Sequence, residues 1–220
     1  MSELVFNIVY SFADFLLLIL LISSFFVINR HHTIKYFFIF HTYVIFCSAD
    51  NLALELLRYY NYLEKVNWII FQLLFSTIHF GLLSFFLLKQ LNKRSGLVNF
   101  IYIFILSLLF VFNFLDYKNS NYYSATISNI GLMIFCVIYY VDILKGNLDI
   151  DLKSNPMFLI ASGLFLGSGL STPILLFGNH LRVILDHDTY YWIAILSPVS
   201  SIIMYSIFLK SFLCILKIKK

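Results

Sequence analysis

The chain has 220 residues, 61% of them hydrophobic and only 12% charged, with a formal net charge of +4. Soluble domains run at roughly 45–50% apolar and about 25% charged, and a soluble core of this length could not bury so much apolar surface, because surface area still scales with mass. Those figures exclude a soluble globular domain, and the modest positive balance gives no support to nucleic-acid binding.

Seven stretches of 18 or more mostly apolar residues occupy 5–28, 36–57, 67–88, 98–115, 124–144, 157–178 and 190–209. Each is close to the length a helix needs to cross a bilayer's hydrocarbon core, about 20 residues. No polar stretch between them is long enough to fold by itself, so a single transmembrane domain over 1–220 is expected, all-α and polytopic.

The first stretch carries Asp14. Its N-terminal flank holds Glu3 and no basic residue, and the apolar run is too long for the core of a cleavable signal, so it is read as an inserted helix. The second holds Asp50, Asn51 and Glu55, with Arg58 at its end. On a helix Asn51, Glu55 and Arg58 share one face, and Asp50 turns about a quarter of the circle away. Gln72 and His79 lie in the third stretch, Asn113 in the fourth and Asn129 in the fifth.

Asn155-Pro156 opens the sixth stretch, with proline where a first helical turn tolerates it. Gly163 and Gly167 then form a small-xxx-small pair beside Ser162 and Gly169, a face that lets a neighbouring backbone approach closely. Packing inside the bundle is the expected use, with a homodimer as the alternative. Pro173 and Pro198 are expected to kink the sixth and seventh helices, and Ser197, Ser200 and Ser201 could re-satisfy the freed carbonyls.

Lys and Arg set the expected orientation. Arg30 and Lys35 follow the first stretch, Lys89, Lys93 and Arg94 follow the third, and Lys210, Lys217, Lys219 and Lys220 mark the C-terminal end. On the other side, Arg58 and Lys65 stand beside Glu64, Lys118 beside Asp116, and Arg182 beside Asp186 and Asp188. The connection with Lys145, Asp149, Asp151 and Lys153 is balanced. The positive-inside rule then places the N-terminus outside and the C-terminus in the cytoplasm. Tyr59, Tyr60, Tyr62, Trp68, Tyr117, Tyr122, Tyr123, Tyr190, Tyr191 and Trp192 would form an outer aromatic belt.

In this orientation Asp14, Asp50, Asn51, Glu55, Gln72 and Asn129 fall in the outer half of the bilayer, and His79 near its midplane. The inner half holds His41, some Ser and Thr, and Lys210. Ionisable groups at such depth are costly and usually face the bundle interior, a partner or water. The asymmetry points to a polar pocket open to the outside and closed by an apolar cytoplasmic half. The competing reading is interhelical glue, each such bond contributing on the order of 1 kcal/mol.

Enzyme signatures do not survive inspection. A retinal protein would need a lysine deep in the seventh helix, and Lys210 is too near the cytoplasmic end. Gly169-Leu170-Ser171-Thr172 departs from a rhomboid-type Gly-x-Ser-Gly nucleophile, and no histidine lies in the seventh stretch. A zinc-dependent amidase of the ceramidase kind needs three converging histidines. Here His41 and His79 are intramembrane, whereas His180 and His187 are read in a loop that, with Asp186 and Asp188, is a weak candidate for metal. Cys47, Cys136 and Cys214 offer neither a disulfide framework nor metal spacing and are read as small hydrophobes. No cofactor and no metal are expected.

Lys35-Tyr36-Phe37-Phe38-Ile39-Phe40 opens the second helix, which then carries Asp50 and Glu55; Asn67 opens the third, and Asn155-Pro156-x-Phe158 precedes the glycine-rich sixth. In these features the whole chain resembles small seven-helix membrane proteins of Bacteroidetes-type bacteria, some encoded beside sensor histidine kinases. The resemblance implies a sensor or accessory module of the bacterial inner membrane rather than a catalyst. It would lead one to expect an acidic residue in the third helix, where this chain has Gln72. The reading is a seven-helix bundle, N-terminus outside and C-terminus cytoplasmic, with a sensory or regulatory role. Its partners would be the bilayer and a membrane histidine kinase or other signalling protein. A small-molecule transporter is the alternative, and a lipid-modifying enzyme using Asp14, Asp50 and His79 stands behind it.

Overall fold

The computed structural model describes residues 2–28, 37–59, 65–91, 96–119, 123–145 and 151–217, with the side chains of 28, 54–59, 65–74, 116–119 and 179 left aside. Its elements are α1 (Ser2–Ile28), α2 (Phe37–Tyr59), α3 (Lys65–Gln90), α4 (Gly96–Asn119), α5 (Tyr123–Lys145), α6 (Pro156–Ile184), α7 (His187–Ala194) and α8 (Leu196–Lys217). No strand occurs among the described residues.

Five segments are long and apolar enough to cross a membrane: Ser2–Val27, Gly96–Leu115, Tyr123–Lys145, Pro156–Gly178 and His187–Lys217. Phe37–Ala53 adds a shorter apolar helix. Large apolar side chains stand on the outside of these helices. On α1, Leu4, Ile8, Phe12, Phe15, Leu18 and Ile22 make an exposed stripe opposite buried Ala13, Leu17, Leu20 and Val27. On α4, Phe110 is 78% exposed. Water would not tolerate so continuous an apolar surface, whereas hydrocarbon would. The chain is a multi-pass membrane protein.

Neighbouring helices close a circuit: α1 on α2, α2 on α3, α3 on α5, α5 on α6, α6 on α8 and α8 back on α1, with α4 applied outside against α3 and α5. Ser24 near the end of α1 meets His41 near the start of α2. The α1 residue Ser2 donates to Asp188 at the start of α7, and Ser211 near the end of α8 donates to the Pro156 carbonyl at the start of α6, 2.9 Å. Helix α1 and the α7–α8 pair therefore run one way, and α2 and α6 the other.

One end of the circuit is filled by aromatic rings. Phe40 lies 5.4 Å from Phe86 of α3 and 5.0 and 6.0 Å from Phe208 and Phe212 of α8, centroid to centroid. Such pairs contribute about 0.5–1.5 kcal/mol each beyond the area they bury.

The sixth and seventh stretches depart from their expected boundaries. Helix α6 does not stop at 178 but runs to Ile184, so His180 stands on a helix and not in a loop. Gly178 meets no obstacle within 4 Å and carries the helix on, and the chain leaves it only at Leu185, whose N–H bonds the Leu181 carbonyl at 2.9 Å. Pro173 sits inside this continuous helix. In the seventh stretch the helix is interrupted only at Ile195, which keeps helical backbone angles. The bonds from Ile195 N–H to the Tyr191 carbonyl and from Val199 N–H to the Ile195 carbonyl, both 3.1 Å, run through it, so α7 and α8 form one irregular crossing, as a kink near Pro198 would give. Pro198 follows in the first turn of α8, where its missing N–H leaves little unsatisfied. Ser200 donates to the Ser197 carbonyl at 2.7 Å, as the position of the hydroxyls suggested.

Candidate functional site

Asp14 and Asn51 face each other across α1 and α2, and Asn51 Nδ2 donates to Asp14 Oδ1 at 3.0 Å. Asp50, the preceding residue, turns into the bundle and is 8% exposed. Its Oδ1 is fully buried and accepts from no donor among the described residues. One turn before it, the Cys47 sulfur is in hydrogen-bonding contact with the Tyr43 hydroxyl. From α8, Tyr205 stands within electrostatic reach of Asp14, Asp50, Tyr10 and Cys47. Three elements, α1, α2 and α8, thus bring polar groups within one another's reach.

His79 of α3 adjoins this cluster through Tyr43, ring edge to ring face at 5.3 Å, and lies 5.6 Å from Phe75. Its Nδ1 is buried and has no partner among the described residues. A buried polar atom without a partner usually costs about 1–3 kcal/mol, so two such atoms in adjoining positions mark this region off from the rest of the interior. Among the described residues no other fully buried side-chain nitrogen or oxygen lacks a partner, and many bond to backbone carbonyls, as Ser128 does to that of Ser76.

Asn129 also has a partner. It lies on α5 and its Nδ2 donates to Ser171 Oγ of α6 at 2.9 Å, away from the Asp14–Asn51 pair. Asn113 of α4 likewise donates to Thr77 Oγ1 of α3 at 2.6 Å. His41 Nδ1 meets Ser24 Oγ at 2.9 Å, and the Ser24 hydroxyl donates to the Leu21 carbonyl at 2.6 Å. Ser24 thus links the buried imidazole of α2 to the backbone of α1. Glu55 and Gln72 lie outside the described side chains.

The glycines sit at helix contacts. A Cβ on Gly163 would stand 2.8 Å from the Phe208 ring of α8, and one on Gly167 would stand 2.9 Å from Met204 Sδ of the same helix. Gly169 turns instead towards Met133 of α5, 3.6 Å away.

The chain matches no family model, no curated protein and no solved structure. No group of three or more His, Cys, Asp or Glu residues converges on a metal position among the described residues. At the end bearing His187, Asp186 Oδ2 caps α7 by accepting from Thr189 N at 3.0 Å, Asp188 accepts from Ser2, and His187 packs on Tyr191 at 4.8 Å. Those groups are occupied in holding helix ends together. The Thr189 hydroxyl and amide hold the Asp186 carboxyl below the usual carboxylate range.

The sequence singled out Asp14, Asp50, Asn51 and His79, whereas Cys47 was read only as a small hydrophobe and Tyr43 and Tyr205 were not singled out. Tyr43, Cys47 and Asp50 recur at i, i+4 and i+7, the spacing of a single helical face. That signal was present in the sequence of α2. Nothing in the sequence of α8 distinguishes Tyr205 from the chain's fourteen other tyrosines, of 15 in all.

Proposed function

We propose that this chain is a sensory or regulatory module of a bacterial inner membrane, spanning it seven times with the N-terminus outside and the C-terminus in the cytoplasm. The count treats α7 and α8 as one crossing. The uneven distribution of Lys and Arg between the connections supports the orientation. The observation that carries the reading is Asp50, a carboxylate buried at 8% exposure whose Oδ1 accepts from no donor among the described residues, beside the Asp14–Asn51 pair. Uncompensated polar groups in a membrane interior mark functional positions by default.

A sensor needs a site whose occupancy biases two arrangements of the bundle. The cluster offers one, because α1, α2, α3 and α8 all contribute to it and would all feel its occupant. The aromatic packing of Phe40, Phe86, Phe208 and Phe212 at one end favours a pocket reached from the other end over a pathway through the bundle. The partner is a membrane histidine kinase or another signalling protein, addressed through the basic cytoplasmic connections, in keeping with the resemblance to small proteins of Bacteroidetes-type bacteria.

The test is kinase autophosphorylation in membranes containing the kinase that copurifies with this chain. Wild type is expected to alter it, and Asp50→Asn at equal abundance is expected to lose that effect. Regulation unchanged by Asp50→Asn would overturn the assignment of the site. Flux of a small solute into vesicles carrying the chain alone would favour the transporter instead.

A further inference from the structure

Helices α5 and α6 leave a groove of about 590 Å³ between them. Met133, Ile134 and Val137 line it from α5, and Phe165, Gly169 and Pro173 from α6. Gly169 keeps it open, because any side chain there would grow into the space beside Met133 Cε, which a Cβ would already meet at 3.6 Å. Both helices are long and apolar enough to cross a membrane. Ile134 and Val137 on the rim are 40% and 47% exposed, so the groove opens onto hydrocarbon.

The groove is bounded at both ends. At one end Tyr140 of α5 packs on Phe165 of α6, 6.2 Å between centroids, and its hydroxyl donates to Ser162 Oγ at 3.2 Å. At the other end Asn129 Nδ2 donates to Ser171 Oγ at 2.9 Å. Asn129, Met133 and Val137 recur at i, i+4 and i+8, so Asn129 stands on the lining face of α5, one turn beyond the groove. The Ser171 hydroxyl is committed to the Gly167 carbonyl at 2.9 Å. The Asn129 carbonyl oxygen accepts from no donor among the described residues, and its second amide hydrogen is unused. An open acceptor and an open donor at the mouth of an apolar slot are complementary to a hydroxyl.

Size and depth select the occupant. Positions 130–138 span about 12 Å at 1.5 Å per residue, which makes a groove of this volume roughly 7 Å across. A helix is about 10–12 Å wide with its side chains and does not enter, whereas a hydrocarbon chain does. The glycine pair that would draw in a second copy is already used, since Gly163 and Gly167 face Phe208 and Met204 of α8. Asn129 lies about 9 Å along α5 from its start at Tyr123. A charged headgroup at that depth would lose its hydration, whereas an uncharged hydroxyl received by an amide would not be left unbonded.

We propose that the α5–α6 groove binds an uncharged lipid, with one hydrocarbon chain lying between the helices and a hydroxyl of its head bonded to Asn129. Binding is non-covalent throughout. The site is on the lipid-facing side of the bundle, apart from the Asp14–Asn51 pair, and stands whether or not the chain is a sensor.

The experiment uses the full chain in lipid nanodiscs and two photoactivatable probes that share one diazirine-bearing chain, a monoacylglycerol and a lysophosphatidylcholine. Peptide mapping after illumination is expected to place the monoacylglycerol on 130–138 and 165–173, saturably and about fivefold more strongly than the phosphocholine probe, the worth of one hydrogen bond in a membrane. Unlabelled monoacylglycerol should compete it away. Gly169→Leu, which fills the groove, should lose the labelling of both probes there. Asn129→Leu should keep chain labelling and lose the preference between heads. If either variant fails to fold, saturation and competition in wild type decide. Equal labelling by the two probes, or labelling that no competitor reduces, would mean ordinary bulk lipid and overturn the proposal. A groove that neither probe reaches in a chain that purifies as a dimer would mean a second copy covers it, and would overturn the proposal as well.

Discussion

Asn51 of α2 commits one of its amide hydrogens to Asp14 Oδ1 of α1 at 3.0 Å. Neutral donors in membranes contribute modestly, on average below about 1 kcal/mol in measured cycles. A double-mutant cycle of Asn51→Ala and Asp14→Ala, read by unfolding in bicelles, should give a coupling energy of about 1 kcal/mol. A coupling near zero would mean the pair adds nothing to stability. His41 and Ser24 present the opposite situation, with both partners buried and the geometry closed. Ser24→Ala leaves the buried His41 Nδ1 without its partner and should cost about 1–3 kcal/mol. Ser107→Ala, which removes an exposed hydroxyl bonded to the Ile103 carbonyl, should change stability far less in the same assay.

At the scale of the element, the glycines of α6 predict a graded series. Gly163→Ala pushes a methyl towards the Phe208 ring at 2.8 Å and the Met204 carbonyl at 3.3 Å, and backbone cannot step aside. A loss of about 1–3 kcal/mol is expected. Gly167→Ala meets only the flexible Met204 side chain and should cost less. Gly169→Ala meets Met133 at ordinary contact distance and should be close to neutral. Thermal midpoints of the three variants should fall in that order, and equal midpoints would contradict close packing of α6 on α8. Helix α7 predicts a pH effect. The Asp186 carboxyl is held below its usual range when α7 is folded, so it stabilises the folded end fully above about pH 4 and loses that contribution as pH falls further. Trp192 fluorescence should change on acidification in wild type and not in Asp186→Asn. The small-residue spacing of α6 was legible in the sequence, as was its Asn155-Pro156 start, where the Asn155 side chain accepts from Met157 N and Phe158 N at 2.9 and 3.1 Å. The end of α6 was not, because Gly178 and Asn179 carry a stop signal that local packing does not enforce. The irregularity at Ile195 lies one turn before Pro198, where a proline that lacks an N–H disturbs a helix, and that signal was legible in the sequence.

For the whole molecule, hydropathy alone reveals the class, because a helix that must satisfy its backbone in lipid announces itself by length and apolarity. What hydropathy does not contain is azimuth, meaning which face of each helix meets which neighbour. Asp14, Asn51 and Asn129 are polar and intramembrane alike, yet the first two share a bond and the third answers to Ser171 on the far side of the circuit. That division depends on the order α1–α2–α3–α5–α6–α8 and on the displacement of α4. Reporter fusions test the proposed topology at this scale. A fluorescent protein at the C-terminal end should light up, and a phosphatase active only outside the cytoplasm should work after 64 or after 121 and fail after 94. A phosphatase active at the C-terminal end would reverse the orientation.

The closure of α8 onto α1 has a bearing on biosynthesis. Helix α1 leaves the ribosome first and α8 last of the described helices, yet α8 packs on α1, and Ser2 is bonded to Asp188. During translation Asn51 can shelter Asp14 soon after insertion, whereas Asp50 must wait for the final crossing before its surroundings are complete. A nascent chain stalled before that crossing would present an unsheltered acidic helix to the lipid, the kind of lesion that membrane quality-control proteases recognise. Cells carrying a stop codon after α6 should therefore degrade the fragment rapidly, and supplying α7–α8 as a separate polypeptide should prolong its lifetime.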